Sequence, residues 1–187
     1  MGCGREGSYF CQGCRQGIRE TEGLICPMCR KGRIGGQVHP RCQTAWGMDG
    51  LVSLWRYDGA IRQGIKSLKF RWVKDIFGEV MDLVTSRLDN LKWWEEYVHS
   101  KNLVLVPVPL HAGRERWRGF NQAEMVAYGV GQILGLRVAK NLLIRLRKTA
   151  SQAELKGTNR EEVFKHRREN IQGAFQINSK FPARNAK

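Results

Sequence analysis

The chain has 187 residues, with 32 Lys and Arg against 17 Asp and Glu, a formal net charge of +15 and 42% hydrophobic residues. That length holds one ordinary domain plus a small module, and the apolar content is enough for a real core. No apolar run reaches the length of a bilayer-spanning helix, so membrane insertion is not expected.

The charge is concentrated late: from Arg137 onward 13 Lys and Arg stand against 4 Glu, a net of +9 in the last 51 residues. Such an excess favours polyanions, whether nucleic acid, phosphorylated metabolites or ribosomal surfaces; the plainer reading is a solvated basic face.

All six cysteines precede residue 43. The opening Met1-Gly2-Cys3-Gly4-Arg5 does not read as a secretory leader. The expectation is therefore a cytoplasmic chain, where cysteines serve as metal ligands more often than as disulfides. Cys26-Pro-Met-Cys29 is a CxxC knuckle and His39-Pro-Arg-Cys42 an HxxC knuckle, with Gly32, Gly35 and Gly36 between them for a tight hairpin. Two facing knuckles deliver four N/S ligands in the tetrahedral arrangement of structural zinc, so Cys26, Cys29, His39 and Cys42 form the preferred site. The competing reading is a set of reduced, buried cysteines with no metal. Cys11-Gln-Gly-Cys14 is a further knuckle and Cys3 stands alone upstream, which leaves a second site one ligand short. Three ligands plus water would also describe a catalytic zinc, but no acid or base is paired with it by motif. Some 45 residues with few large apolar side chains bury too little surface to fold unaided, and metal binding supplies that folding energy. The module is placed at 1–46.

Gly47–Gly50 reads as a linker and Leu51–Tyr57 as a strand, broken by Asp58-Gly59. In the helix that follows, Ile61, Ile65 and Leu68 share one face and Arg62, Lys66 and Lys69 form a basic stripe beside it. The stripe is either a solvated face or, with Arg71, an approach to phosphate or nucleic acid. Ile76, Phe77, Val80, Met81, Val84 and Leu88 predict a second helix, and Trp93, Trp94 and Tyr97 continue its apolar surface as core or, less plainly, as base-stacking rings.

The run LVLVPVPLHAGRERWRGFNQ, Leu103 to Gln122, carries the most chemistry. Leu103, Val104, Leu105, Val106 and Val108 predict a central parallel strand buried on both faces, stopped by Pro107 and Pro109. A basic loop bearing Arg114, Arg116 and Arg118 is expected next, then a sharp turn at Gly119. Asn121 follows as a helix cap, with Glu124 as its capping-box partner. Strand, arginine loop and capped helix are the layout of an anion site at the carboxyl end of a parallel sheet. The helix Gln122–Leu134 packs Ala123, Val126, Ala127, Val130 and Ile133 or Leu134 on the sheet, with Gly129 and Gly131 weakening it or permitting close approach. A short strand lies within 138–146, a polar basic stretch within 149–170, and a last strand at Ala174–Ile177.

Pro107-Val108-Pro109-Leu110, Arg114 and Arg118-Gly119-Phe120-Asn121-Gln122-Ala123 resemble the ComF family of phosphoribosyltransferase-like proteins. Thr149, Gln152, Leu155, Arg167, Asn170, Ala174 and Phe175 fit the same family's later series, and Tyr57, Gly59, Lys66, Lys69 and Phe70 resemble an earlier one. The resemblance implies an α/β fold: a type I phosphoribosyltransferase-like parallel sheet over 51–187, preceded by a double zinc ribbon. It implies a ligand of the phosphoribosyl pyrophosphate (PRPP) kind. Arg114 and Arg118 would meet the pyrophosphate, since guanidinium forks match phosphate oxygens, with Gly119 and Asn121 shaping the loop. A flexible stretch around Lys148, Thr149, Gln152 and Arg167 would fold over the site. In relatives a further CxxC would complete the site of Cys3, Cys11 and Cys14.

The family's acidic pair at a strand end, followed by a Thr- and Gly-rich loop, is not found here; no aspartate follows Asp89. The chain therefore reads as a C-terminally truncated fragment with an exposed sheet edge and no phosphoribosyl transfer of its own, magnesium with PRPP being expected only for a full-length relative. The family link to competence adds single-stranded DNA and other competence proteins as expected partners. A different class of reading is a non-catalytic zinc-ribbon protein that binds single-stranded nucleic acid by charge. A third is an unfolded gene remnant.

Overall fold

The computed structural model describes residues 7–181 except 22–23, 46, 71–74, 90–102 and 153. The expectations for Cys3, Arg71, Trp93, Trp94 and Tyr97 lie outside the described residues. The chain forms two compact units, Met1–Lys101 and Asn102–Lys187.

The first unit opens with a short helix, α1 (Gln12–Gln16), with Cys11 at its N-cap. The CxxC knuckle then closes on itself: the Arg30 amide donates to the Cys26 carbonyl at 2.8 Å and the Cys26 amide to the Lys31 carbonyl at 2.9 Å. Arg30 takes a positive φ of 61° to complete this turn, a conformation that costs an L-residue about 1 kcal/mol or more. Single 3₁₀ turns at Ile34–Gly36 and Pro40–Cys42 bring in the second knuckle. Gly36 is required here, since a Cβ would sit 2.2 Å from the Leu51 carbonyl oxygen.

Helices α2 (Gly59–Phe70) and α3 (Ile76–Asp89) pack against each other. Ile61, Leu68, Ile76 and Val84 are buried, while Arg62, Lys66 and Lys69 are exposed. Both helices, and their amphipathic faces, follow the apolar spacing of the sequence. They do not stand apart from the cysteine module. Glu79 of α3 accepts hydrogen bonds from the Tyr9 and Phe10 amides at 2.7 and 2.8 Å. Phe10, 3% exposed, lies against Gly64, where a Cβ would come within 2.4 Å of the ring. The expected strand Leu51–Tyr57 does not form. Gly50 and Trp55 make only isolated bridges, to Gln37 and Glu20, because no described segment runs alongside them long enough to build a ladder.

The second unit mixes helix and sheet. Strand β1 (Val104–Leu105) pairs in parallel with β2 (Arg137–Val138). The intervening chain holds α4 (Ala112–Arg118) and α5 (Gln122–Leu134). Gly131 makes the close approach of α5 to this pair possible: a Cβ would lie 2.8 Å from the Leu136 carbonyl and 3.1 Å from Val138 Cγ2. Strand β3 (Leu143–Arg145) pairs antiparallel with β4 (Phe175–Ile177) across α6 (Arg160–Ile171).

Two expectations are corrected. The central apolar run is not buried on both faces: β1 ends before Pro107, and Val106 and Val108 are 36% and 56% exposed. Pro107 cannot extend the ladder, and β2 is the partner of β1 among the described residues. The arginine segment is not a loop but the helix α4. It starts at His111, whose Nδ1 accepts from the Gly113 amide at 3.2 Å, and ends at Gly119, at φ 78°. No helix among the described residues is long and apolar enough to cross a membrane.

Candidate functional site

Cys26, Cys29, His39 and Cys42 offer four ligand atoms that all lie within 4.8 Å of one another. The Cys29 Sγ is 3.4 Å from His39 Nδ1. Cys26 is fully buried. Burial pushes its thiol pKa up, but backbone hydrogen bonds from Cys29, His39 and Met28 pull it further down, to about 6. Cys42 moves the other way, raised by burial and by the neighbouring Cys29 and Cys26. The two shifts describe one crowded group of sulfurs that cannot all hold negative charge without a cation among them. A Cys₃His donor set of this spread fits a tetrahedral ion with Zn–S near about 2.3 Å and Zn–N near about 2.0–2.1 Å. Cys11 and Cys14 lie at the start and one turn into α1; Cys3, the third residue of their expected site, lies outside the described residues.

The second cluster is built on α4. Arg114 and Arg118 are four residues apart and share a face, which the loop reading did not foresee. Arg118 is 9% exposed and donates from Nη1 to the Gln122 Oε1 at 2.8 Å. Its guanidinium is depressed by burial and by the Arg114 charge. Arg145, at the end of β3, is depressed in the same way: by burial, then by Arg114 and Arg147. Arg145 is held by the Thr149 hydroxyl, which accepts from its Nη2, and lies over the Phe175 ring, 5.1 Å from its centroid. Two buried donors, Gln122 Nε2 and Arg145 Nε, have no hydrogen-bond partner among the described residues. Arg114 acts on the charge of both Arg118 and Arg145, and like charges with unmet N–H groups on or beside them are chemically suited to an anion.

The other expected site residues have structural partners. Asn121 caps α5, accepting from the Ala123 amide at 3.1 Å, and donates to the Val108 carbonyl at 3.2 Å. Glu124 pairs with Lys140 at 2.6 Å and so binds α5 to the turn after β2. Gln152 and Arg167 hold each other's main chain. Lys148 is exposed. The sequence reading missed Arg145 as a member of the arginine cluster and Gln122 as the partner of Arg118. A basic residue ending a strand, four residues before the Thr149 already singled out, was the signal available for the first.

Two curated proteins resemble the chain. Competence protein ComFC of Bacillus subtilis is 29% identical over 127 residues, covering 63% of this chain and 49% of that protein. Competence protein F of Haemophilus influenzae is 23% identical over 203 residues, covering 95% of this chain and 81% of that protein. Both similarities support the resemblance of the chain to the ComF family. It spans about half the length of the Bacillus subtilis relative. No family model matches the chain, and no solved structure matches it.

Proposed function

We propose that this ComF relative serves in competence and carries a phosphoribosyltransferase-type anion site, in which Arg114, Arg118 and Arg145 receive the diphosphate of a PRPP-like sugar phosphate. The observation that carries the reading is the convergence of these guanidinium groups beside buried, unmet N–H donors. A leaving diphosphate needs charge neutralisation more than covalent help, and planar guanidinium forks supply it in bidentate form. Zinc at Cys26, Cys29, His39 and Cys42 holds the N-terminal module together; the ion would supply folding energy there, not chemistry. Magnesium would accompany PRPP in a full-length relative.

The 187 residues contain no aspartate after Asp89, and no described strand ends in an acidic pair to hold ribose hydroxyls. The reading is therefore binding without turnover by these residues alone. Calorimetric titration with PRPP and with inorganic pyrophosphate tests it: both are bound, Arg114→Gln weakens both, and no pyrophosphate is released from PRPP. Absence of binding would overturn the anion site, and measurable turnover would overturn the inactivity.

A second reading rests on the exposed Arg62, Lys66 and Lys69 stripe of α2: a non-catalytic zinc-ribbon module that binds single-stranded nucleic acid by charge. Salt-steep binding of an oligonucleotide, with no affinity for PRPP, would favour it.

A further inference from the structure

The first unit contains a cavity of about 290 Å³ that the arginine cluster does not involve. Arg15 of α1, Glu20, Trp55, and Asp82, Leu83 and Arg87 of α3 line it. The volume is at the low end of small-molecule sites, which run from roughly 300 to 1,000 Å³. Its walls are fixed from several sides. Glu20 and Trp55 face each other across an antiparallel bridge. Arg87 Nη1 is paired with the Glu20 carboxylate at 2.6 Å. Arg15 is held by the Phe10 carbonyl at 3.0 Å through its Nε and by Glu79 at 3.4 Å through its Nη2.

The chemistry of the lining narrows the occupant. A simple anion would face Glu20 and Asp82, and a simple cation would face Arg15 and Arg87. A purely apolar ligand would leave Arg87 Nε unmet, although it is buried and has no hydrogen-bond partner among the described residues. A buried donor of that kind calls for an acceptor. Trp55 and Leu83 meanwhile add an aromatic and an aliphatic side chain to the lining. The ligand that satisfies all of these is a planar heterocycle with acceptors on one part of its edge and donors on another.

We propose that this cavity takes a nucleobase, stacked on Trp55, with Arg87 donating to its acceptors and the Asp82 carboxylate accepting from its N–H groups. Of the common bases guanine matches best: arginine reads its O6 and N7 acceptors, and its remaining N–H groups suit a carboxylate. The proposal is independent of the diphosphate reading, because it concerns the other unit and a ligand part that bears no phosphate. The base has two possible sources, a free nucleoside or a base within a single strand.

The test uses the whole chain. Equilibrium dialysis with guanosine and adenosine, which carry no phosphate for the arginine cluster, gives the first arm. Fluorescence anisotropy with labelled thymidine octamers, with and without one central guanine, gives the second. Preferential guanosine binding, cut about tenfold by Trp55→Leu and by Asp82→Asn, supports the proposal with a free nucleoside as ligand. Binding of the guanine-containing octamer alone, with its preference lost in Asp82→Asn, supports it with a strand as ligand. Circular dichroism checks that both variants keep the fold, and Asp82 is exposed, so its amide variant is the safer one. Absence of binding in both arms overturns the proposal, as does binding that neither substitution changes.

Discussion

Gln152 and Arg167 hold each other's backbone: Gln152 Nε2 donates to the Arg167 carbonyl at 3.2 Å, and Arg167 Nε donates to the Gln152 carbonyl at 3.1 Å. Two residues before Gln152, the Asn170 side chain holds both sides of Ala150, accepting from its amide and donating to its carbonyl, each at 3.1 Å. Arg147 adds bonds to the Asn170 and Gln172 carbonyls at 3.1 and 2.6 Å. A stretch expected to be flexible is therefore tied along α6, and it fixes Thr149 where it meets Arg145.

That reciprocity predicts strong coupling between the paired residues. Gln152→Ala and Arg167→Ala should each cost about 0.5–1.5 kcal/mol of stability, and the double variant should cost clearly less than their sum. Asn170→Ala should speed hydrogen exchange of the Ala150 amide, which donates to the Asn170 side chain. Additive losses and an unchanged Ala150 amide would show that the exchange is not formed in solution.

Glu79 predicts an acid limb to the stability of the first unit. Burial raises its pKa, but the Tyr9 and Phe10 amides and the Arg15 charge outweigh that, so the net shift is downward. A carboxylate with a depressed folded pKa adds stability that is present above its unfolded value of about 4.3 and is lost as the pH falls through the folded one. Urea unfolding at several pH values should show that loss below about pH 4.3. Glu79→Gln should destabilise by about 1–3 kcal/mol at neutral pH and flatten the acid limb. Parallel curves for both proteins would remove Glu79 as its source.

The Cys/His cluster was legible because its geometry is written locally: two short knuckles and a glycine hairpin determine where four ligand atoms go. Gly119 and Asn121 were legible for the same reason, one needing a left-handed turn and the other offering a cap. The state of 112–118 was not, since alternating arginines suit a loop as well as about two turns of helix. Only the helix puts Arg114 and Arg118 on one face. Arg145 was harder still, because Phe175 reaches it only through the β3–β4 pairing and Arg114 only through tertiary packing, and no local pattern encodes either. The exposure of Val108 likewise depends on which strands are present, not on its own apolar run.

The role of Arg145 can be separated from general charge. Arg145→Lys keeps the cation but loses the fork and the planar contact with Phe175, and Thr149→Val removes the hydroxyl that orients it. If the guanidinium meets the diphosphate, each should weaken pyrophosphate binding several-fold, up to about tenfold, while Arg116→Gln on the exposed side of α4 should leave it unchanged. Calorimetry with pyrophosphate decides this. Equal affinity in Arg145→Lys and the parent chain would make Arg145 a packing residue only.

The metal site gives the most direct test of the first unit. At neutral pH the purified chain should hold at least one zinc per molecule, and Cys29→Ser should lose it. Metal ligation requires deprotonated sulfur and neutral imidazole, so protons compete with the ion. The site should hold zinc at pH 7 and lose affinity progressively as the pH falls, measured with a chromophoric chelator. The sign follows from the ligands: acid protonates them and weakens the ion's hold, whereas mild base strengthens it. Structural zinc contributes about 10–16 kcal/mol in small peptides, more than a module with so little core can replace. Chelation should therefore unfold the cysteine module and free the Tyr9 and Phe10 amides from Glu79, seen as faster hydrogen exchange at both. An apo chain with unchanged protection there, or a Cys29→Ser variant that binds zinc as tightly as the parent, would rule out this ligand set.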